Sequence, residues 1–308
     1  MSYQNFTVVQ CTNVDFDEGF AAYQREDYVT ALKEWRSLAE QGNAAAQCNL
    51  GMMYQCGQGV AQDSKEAATW YRKAAEQGYA DAQYKLGVVY SHGGDESVRE
   101  AAAWYCKAAE LGLAAAQSDL GFMYQMGRGV PQDFNKAMMW YQKAAEQGNA
   151  MAQILLGMLY ALGQGVTQDN TEAMTWYRKA AEQGDAAAQG ILGGMCHMLQ
   201  DNTEAMIWFR KAAEQGLAEM QYRLGWMFAN GLGAAKNRVV AYALYSLSAA
   251  SDSYVETQDD MDELVSSMSE QEIEEGLALM RKMTEPGDLG CALVAYLNSL
   301  DCTLGWNV

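Results

Sequence analysis

Residues 137–148 read Ala137-Met138-Met139-Trp140-Tyr141-Gln142-Lys143-Ala144-Ala145-Glu146-Gln147-Gly148, and the string Lys-Ala-Ala-Glu-Gln-Gly that closes them returns at Lys73, Lys179 and Lys211, with a close variant opening at Lys107. The closing glycines fall at Gly42, Gly78, Gly112, Gly148, Gly184 and Gly216, at spacings of 36, 34, 36, 36 and 32 residues. Self-similarity at such a period marks a tandem array whose units cannot bury their apolar faces alone and do so by stacking. Two helices and two turns fill each period.

The first helix of a unit carries Ala80, Ala82, Gln83, Leu86, Gly87 and Tyr90, an apolar stripe at helical spacing in which small residues allow close helix contact. The second carries Ala137, Trp140, Tyr141, Lys143, Ala144 and Ala145, which places an aromatic pair against the first helix and the next unit. Six of the eight tryptophans occupy this slot (Trp35, Trp70, Trp104, Trp140, Trp176 and Trp208) and are expected in the core. Between the helices, Gly57-Gln58-Gly59-Val60 and its copies at Gly127 and Gly163 supply residues that tolerate positive φ. Asp63 and Glu66, Asp169 and Glu172, and Asp201 and Glu204 then stand at the spacing of a reciprocal helix cap. Because they recur with the repeat, these carboxylates are assigned to capping and not to acid catalysis.

The segment Ala-Gln-x-x-Leu-Gly-x-x-Tyr-x-x-Gly-x-Gly-Val-x-x-Asp, followed by Ala-x-x-Trp-Tyr-x-Lys-Ala-Ala-Glu-Gln-Gly, closely resembles the Sel1-like repeat, a relative of the tetratricopeptide repeat. The resemblance implies an all-α, right-handed α-solenoid of helix-turn-helix units. Six repeats are expected over 43–250 (43–78, 79–112, 113–148, 149–184, 185–216 and 217–250), after a tail at 1–15 and a capping helix pair at 16–42. Departures from the pattern occur at Gly93-Gly94, which open a shortened linker, and in the fifth unit, which lacks Gly-x-Gly-Val and has Cys196 where tyrosine is expected. The sixth has Phe228, Asn237 and Leu244 at the tyrosine, capping and tryptophan positions. Residues 251–308 form the expected acidic helical cap, with twelve acidic residues against Arg281 and Lys282 between Ser251 and Asp288. Ser269-Glu270-Gln271-Glu272 predicts a helix from Glu270 to about Met283, and a short helix is expected near Cys291 to Leu300. The conformation of residues 1–15, including Phe6-Thr7-Val8-Val9, stays open between tail and docked strand.

The 308 residues carry a formal net charge of -18 and are half apolar, with two prolines and 29 glycines. Such acidity argues against nucleic acid and anionic membrane as partners, since phosphate neutralisation needs clustered lysine and arginine. No apolar run reaches the roughly 18 residues of a membrane span. Met1 to Gln10 lack the charge and apolar block of a signal peptide, so the cytoplasm is the expected compartment. The seven cysteines (Cys11, Cys48, Cys56, Cys106, Cys196, Cys291 and Cys302) are irregularly spaced and fit reduced thiols.

No metal, cofactor or catalytic residue is expected. His92 and His197 are the only histidines and neither has a second ligand at metal spacing. Cys196 and His197 are neighbours, which on a helix point about 100° apart and cannot act together readily. Phosphate-binding, nucleophile-elbow and dinucleotide signatures are absent from the sequence. A cysteine-rich branch of the Sel1-like family pairs two cysteines across each repeat and is associated with β-lactam-like compounds. Here the corresponding positions hold mostly alanine and glutamine, as at Ala75 and Gln83.

The resemblance implies a scaffold or adaptor that binds a protein on the concave face of a superhelix; the strong acidity points to a basic partner, and the free first-helix positions to one with an exposed apolar segment. A second expectation is an acidic immunity protein that neutralises a secreted toxin; an enzyme or β-lactam-binding protein comes last. At 100° per residue, the first-helix positions two before, two after and five after the Leu of Leu-Gly are left free by the core stripe. They predict a groove containing Met52, Gln55, Tyr84, Val88, Phe122, Gln125, Ile154, Met158, His197, Tyr222 and Trp226, with Cys48, Ser91, Ser118, Ala161, Gly190, Gly194 and Ala229 at the remaining places. Phe122, Tyr222 and Trp226 are the expected anchors.

Overall fold

The computed structural model describes residues 14–250, 257–284 and 289–300; the Phe6-Thr7-Val8-Val9 run lies outside them. All regular structure among the described residues is helical, and the chain divides into two compact units, Met1–Gln168 and Asp169–Val308. The first unit holds α1 (Val14–Gln24), α2 (Tyr28–Glu40), α3 (Ala44–Cys56), α4 (Ser64–Glu76), α5 (Ala80–Ser91), α6 (Asp95–Glu110), α7 (Ala114–Met126), α8 (Phe134–Glu146) and α9 (Ala150–Leu162). The second holds α10 (Asn170–Glu182), α11 (Ala186–Met198), α12 (Asn202–Glu214), α13 (Ala218–Asn230), α14 (Arg238–Ala249), α15 (Thr257–Ser266), α16 (Glu270–Met283) and α17 (Leu289–Ser299). Within each unit, consecutive helices pack as antiparallel pairs in an all-α solenoid.

The Leu-Gly and Trp-Tyr motifs fit one another across the pair. A β-carbon at Gly87 would lie 2.6 Å from the Tyr105 ring, and one at Gly121 would lie 2.7 Å from Tyr141. Glycine therefore lets the second helix set its tyrosine directly on the first helix's backbone. Tyr71, Tyr105, Tyr141 and Tyr245, with Phe209 in the fifth repeat, are buried in this way. The tryptophans are less uniformly buried than expected. Trp35, Trp140 and Trp208 are buried, but Trp70, Trp104 and Trp176 are half-buried. Each of the five tryptophans followed by Lys three residues later carries that ammonium over its ring, at 3.6 to 4.4 Å from the centroid. The motif thus pairs a core tyrosine with a tryptophan at the margin whose outer face is covered by a cation.

Successive repeats are joined by the recurring glutamine of Ala-Gln, which the apolar pattern alone does not explain. Gln47, Gln83, Gln117, Gln153, Gln189 and Gln221 are buried, and each donates its amide to the carbonyl eight residues earlier, at the end of the preceding helix, over 2.9 to 3.3 Å. The oxygens of Gln47, Gln117 and Gln189 accept in turn from the glutamine of Glu-Gln-Gly, from Gln77 and Gln147 at 2.8 Å and from Gln215 at 2.9 Å, whereas Gln221 Oε1 has no hydrogen-bond partner. In the α5–α6 repeat Leu111 replaces that donor, and the buried Gln83 Oε1 has no hydrogen-bond partner.

Gly127 ends α7 with φ 65°, and Gly129, at φ 72°, lies so close to the preceding repeat that a β-carbon would stand 2.6 Å from the Val98 carbonyl oxygen. One glycine turns the chain and the other lets the linker rest on the start of α6. Where the linker shrinks to residues 92–94, this arrangement leaves a cavity of about 720 Å³ bordered by Asp95, Arg99, Met126 and Arg128.

Asp63, Asp133, Asp169 and Asp201 accept backbone N–H bonds at helix starts. The reciprocal bond expected from Glu66, Glu172 and Glu204 is not made; Glu204 accepts instead from Arg178 and from Trp208 Nε1. The full capping box forms at Ser269 and Glu272, at the head of α16. α15 is an additional acidic helix that sequence reading did not resolve. α16 packs on α14: Arg238 donates to Glu272 at 2.8 Å, and Gly276 lies against the Tyr242 ring.

Candidate protein-binding surface

Solvent exposure on the first helices follows a stripe different from the expected one. The places five before, one before, two after and six after the Leu lie within about 60° of arc, centred about 60° round the helix from the expected positions. On α7 they hold Ala115, Asp119, Phe122 and Met126, and on α9 Met151, Leu155, Met158 and Leu162. Phe122 is 42% exposed, Met126 59%, Met151 57% and Leu162 58%. In the second unit α11 presents Ile191 and Met198 at the same register.

The expected residues divide accordingly. Met52, Cys48, Ser118, Gln125 and Gly190 are buried and so are corrected from surface to core. Gln125 Oε1 accepts from Tyr141 at 2.7 Å and Gln55 Oε1 from Tyr71 at 2.7 Å, so both glutamines satisfy a core hydroxyl of their own repeat. Tyr84 packs on Tyr105, ring centroids 5.6 Å apart, and Gly190 lies beneath Met220. Tyr222 stacks on Tyr245 at 5.4 Å, and its hydroxyl donates to Asp260 of α15. Trp226 is half-buried with the His197 ring at its edge, 5.6 Å away, and His197 Nδ1 lies 2.7 Å from Asn202 Oδ1. Val88, Ile154 and Met158 are half-buried, and Phe122 alone of the three expected anchors is exposed. The missed signal is position six after the Leu, where Cys56, His92, Met126, Leu162, Met198 and Asn230 are all exposed.

The titratable groups inside the repeats are held in unreactive forms. Burial pushes the Cys48 thiol up to about 12, and burial with the neighbouring Glu204 charge does the same to Cys196. A thiol that stays protonated is a poor nucleophile and a poor metal ligand. Among the described residues, no three His, Cys, Asp or Glu side chains are grouped to hold a metal ion. No described helix is long and apolar enough to cross a membrane.

The Sel1 repeat profile matches residues 44–79, 80–113, 114–149, 150–185, 187–217 and 218–253. The chain belongs to the Sel1 repeat family. A Sel1 repeat protein from Oxalobacter formigenes is 33% identical, with 76% of this chain and 99% of that one covered at a TM-score of 0.68. The protein c5321, a protective antigen of uropathogenic Escherichia coli strains with an SLR fold, is 29% identical over 93% of this chain and 71% of its own, at a TM-score of 0.56. Comparison with curated proteins finds no match. Sel1 repeats resemble tetratricopeptide repeats, whose stacked helix pairs serve as frameworks for protein contacts.

Proposed function

We propose that this chain is a non-catalytic scaffold that binds a partner protein through the outward stripe of its first helices. The observation that supports it most directly is the set of four large apolar side chains, Phe122, Met126, Met151 and Leu162, exposed along the same stripe of two successive first helices. A repeat core does not need them there, and grouped apolar exposure of this kind marks contact surfaces. Methionine suits such a surface because its flexible thioether adapts to an irregular partner.

Capture with the tagged full chain from cells of the source organism tests the reading. A partner retained by the parent and lost by Phe122→Ala, with melting unchanged, supports it; undiminished retention places the binding surface elsewhere. The net charge of -18, and the exposed Asp259, Asp262, Glu263, Glu270, Glu274 and Glu275 on α15 and α16, favour a basic partner that is steered electrostatically. Association should then slow as salt rises. Neutralisation of a basic toxin is one form of this function, and a toxin gene beside this one would distinguish it from a general adaptor.

A further inference from the structure

α7 carries one charged residue, Asp119, and α9 carries none. Asp119 lies on the outward stripe, three residues before Phe122 and seven before Met126, so it shares a helix face with the exposed apolar side chains. It is half-buried, and among the described residues it forms no ion pair with lysine or arginine. The Tyr84 hydroxyl of α5 is near enough to act on its ionisation.

The cation nearest this cluster, Arg128, donates to the Ser91 carbonyl at 2.6 Å and acts on the Tyr105 hydroxyl, and it forms no ion pair with Asp119. Tyr105 of α6 and Tyr141 of α8 have hydroxyls whose ionisation is pushed up first by burial and then by the Asp119 charge. The Lys85 ammonium of α5 acts on the Cys48 and Cys56 thiols. Burial raises the Asp119 carboxyl above its ordinary range, and the Tyr84 hydroxyl offsets only part of that. A carboxylate drawn partly out of water without a cation is held at a cost that a cation can recover.

We propose that the outward stripe of α7 and α9 receives an amphipathic segment of a partner protein, whose apolar residues cover Phe122, Met126, Met151 and Leu162 and whose lysine or arginine pairs with Asp119. This rests on the protein-binding reading above and names the chemistry that the partner must carry. Apolar cover removes water from the carboxylate and strengthens the ion pair, so the two parts of the recognition reinforce each other. The aromatic rings of Tyr84 and Phe122 supply further faces for the cation.

The test uses the full chain and helical peptides of about 15 residues, with one apolar face and a central position occupied by lysine, norleucine or glutamate. Titration calorimetry should show the lysine peptide bound about fivefold more tightly than the norleucine peptide, and the glutamate peptide more weakly than either. In Asp119→Asn the lysine preference should vanish while the norleucine peptide binds as before; in Phe122→Ala all three should weaken together. The approaching cation lowers the raised Asp119 ionisation, so the lysine preference should grow as pH rises through the acid range in the parent and stay flat in Asp119→Asn. Equal binding of lysine and norleucine peptides, a preference that survives Asp119→Asn, or no binding of any peptide overturns the proposal. Capture of the native partner is read separately with Phe122→Ala, so this proposal can fail while the scaffold reading stands.

Discussion

α9 and α13 occupy the same place in their repeats and share the core sequence Leu-Gly, yet their outward stripes differ completely. On α9 the stripe is Met151, Leu155, Met158 and Leu162; on α13 it is Glu219, Arg223, Trp226 and Asn230. The α13 stripe is closed on itself. Arg223 donates twice to Glu219, at 2.9 and 2.7 Å, Asn230 donates to the Trp226 carbonyl at 2.8 Å, and Trp226 meets His197. The α9 stripe has no polar side chain and leaves Met151 and Leu162 exposed. Core positions hold both helices to one geometry, whereas the outward positions carry no such constraint and can differ repeat by repeat. The proposed binding surface is therefore confined to particular repeats and does not extend over the array as a whole.

The largest expected effect separates the two kinds of position. Tyr141→Ala removes a buried ring that fills the space over Gly121 and should cost about 3 to 5 kcal/mol. Phe122→Ala, one residue after that glycine and about 100° round the helix, should cost less than about 1.5 kcal/mol. Urea unfolding of the two variants measures this, and similar losses would erase the distinction between core and outward stripe.

Giving α9 the character of α13 is the next step. Met151→Glu with Leu162→Asn changes two exposed side chains, so stability should stay within about 1 kcal/mol of the parent, while partner affinity falls about tenfold. Retained affinity would show that α9 is as silent as α13. The reverse expectation holds for Trp226→Ala, which should disturb melting more than partner capture because its ring already has an internal neighbour.

A smaller effect is expected where two repeats differ internally. The α7–α8 repeat completes its glutamine pair through Gln147 and Gln117, but the α5–α6 repeat has Leu111 and an unpartnered Gln83 oxygen. Leu111→Gln should restore the donor and stabilise the chain by about 1 kcal/mol; an unchanged denaturation midpoint would argue against the pairing as a source of stability.

The thiols give the mildest test at neutral pH. Cys56 and Cys291 are exposed and should label readily, whereas the buried Cys48 and Cys196 should stay protected until unfolding, as mapped by mass spectrometry. Both buried thiols ionise near 12 in the folded chain against an ordinary 9.0. Their contribution to stability is thus complete below about pH 9 and lost as pH rises towards 12. Melting temperatures should fall over that alkaline window, together with the onset of labelling at Cys48 and Cys196.

Local chemistry made much of this protein legible in one dimension. The recurring Lys-Ala-Ala-Glu-Gln-Gly set the period, Gly127 and Gly129 marked a turn, Asp63 marked a helix start, and the near absence of clustered cations weighed against nucleic acid. These features act within a few residues or repeat in register, so their spacing is enough. Which residues face outward was decided only when the repeats stacked. Gln55 and Gln125 became acceptors for tyrosine hydroxyls from the paired helix, Tyr84 and Tyr222 were covered by Tyr105 and Tyr245, and Met52 entered the core. A helical wheel locates a residue by angle around its own axis, but burial depends on the distance and angle of the next helix. That relation rotated the free stripe onto Asp119, Met126, Met151 and Leu162, where no local motif announces it.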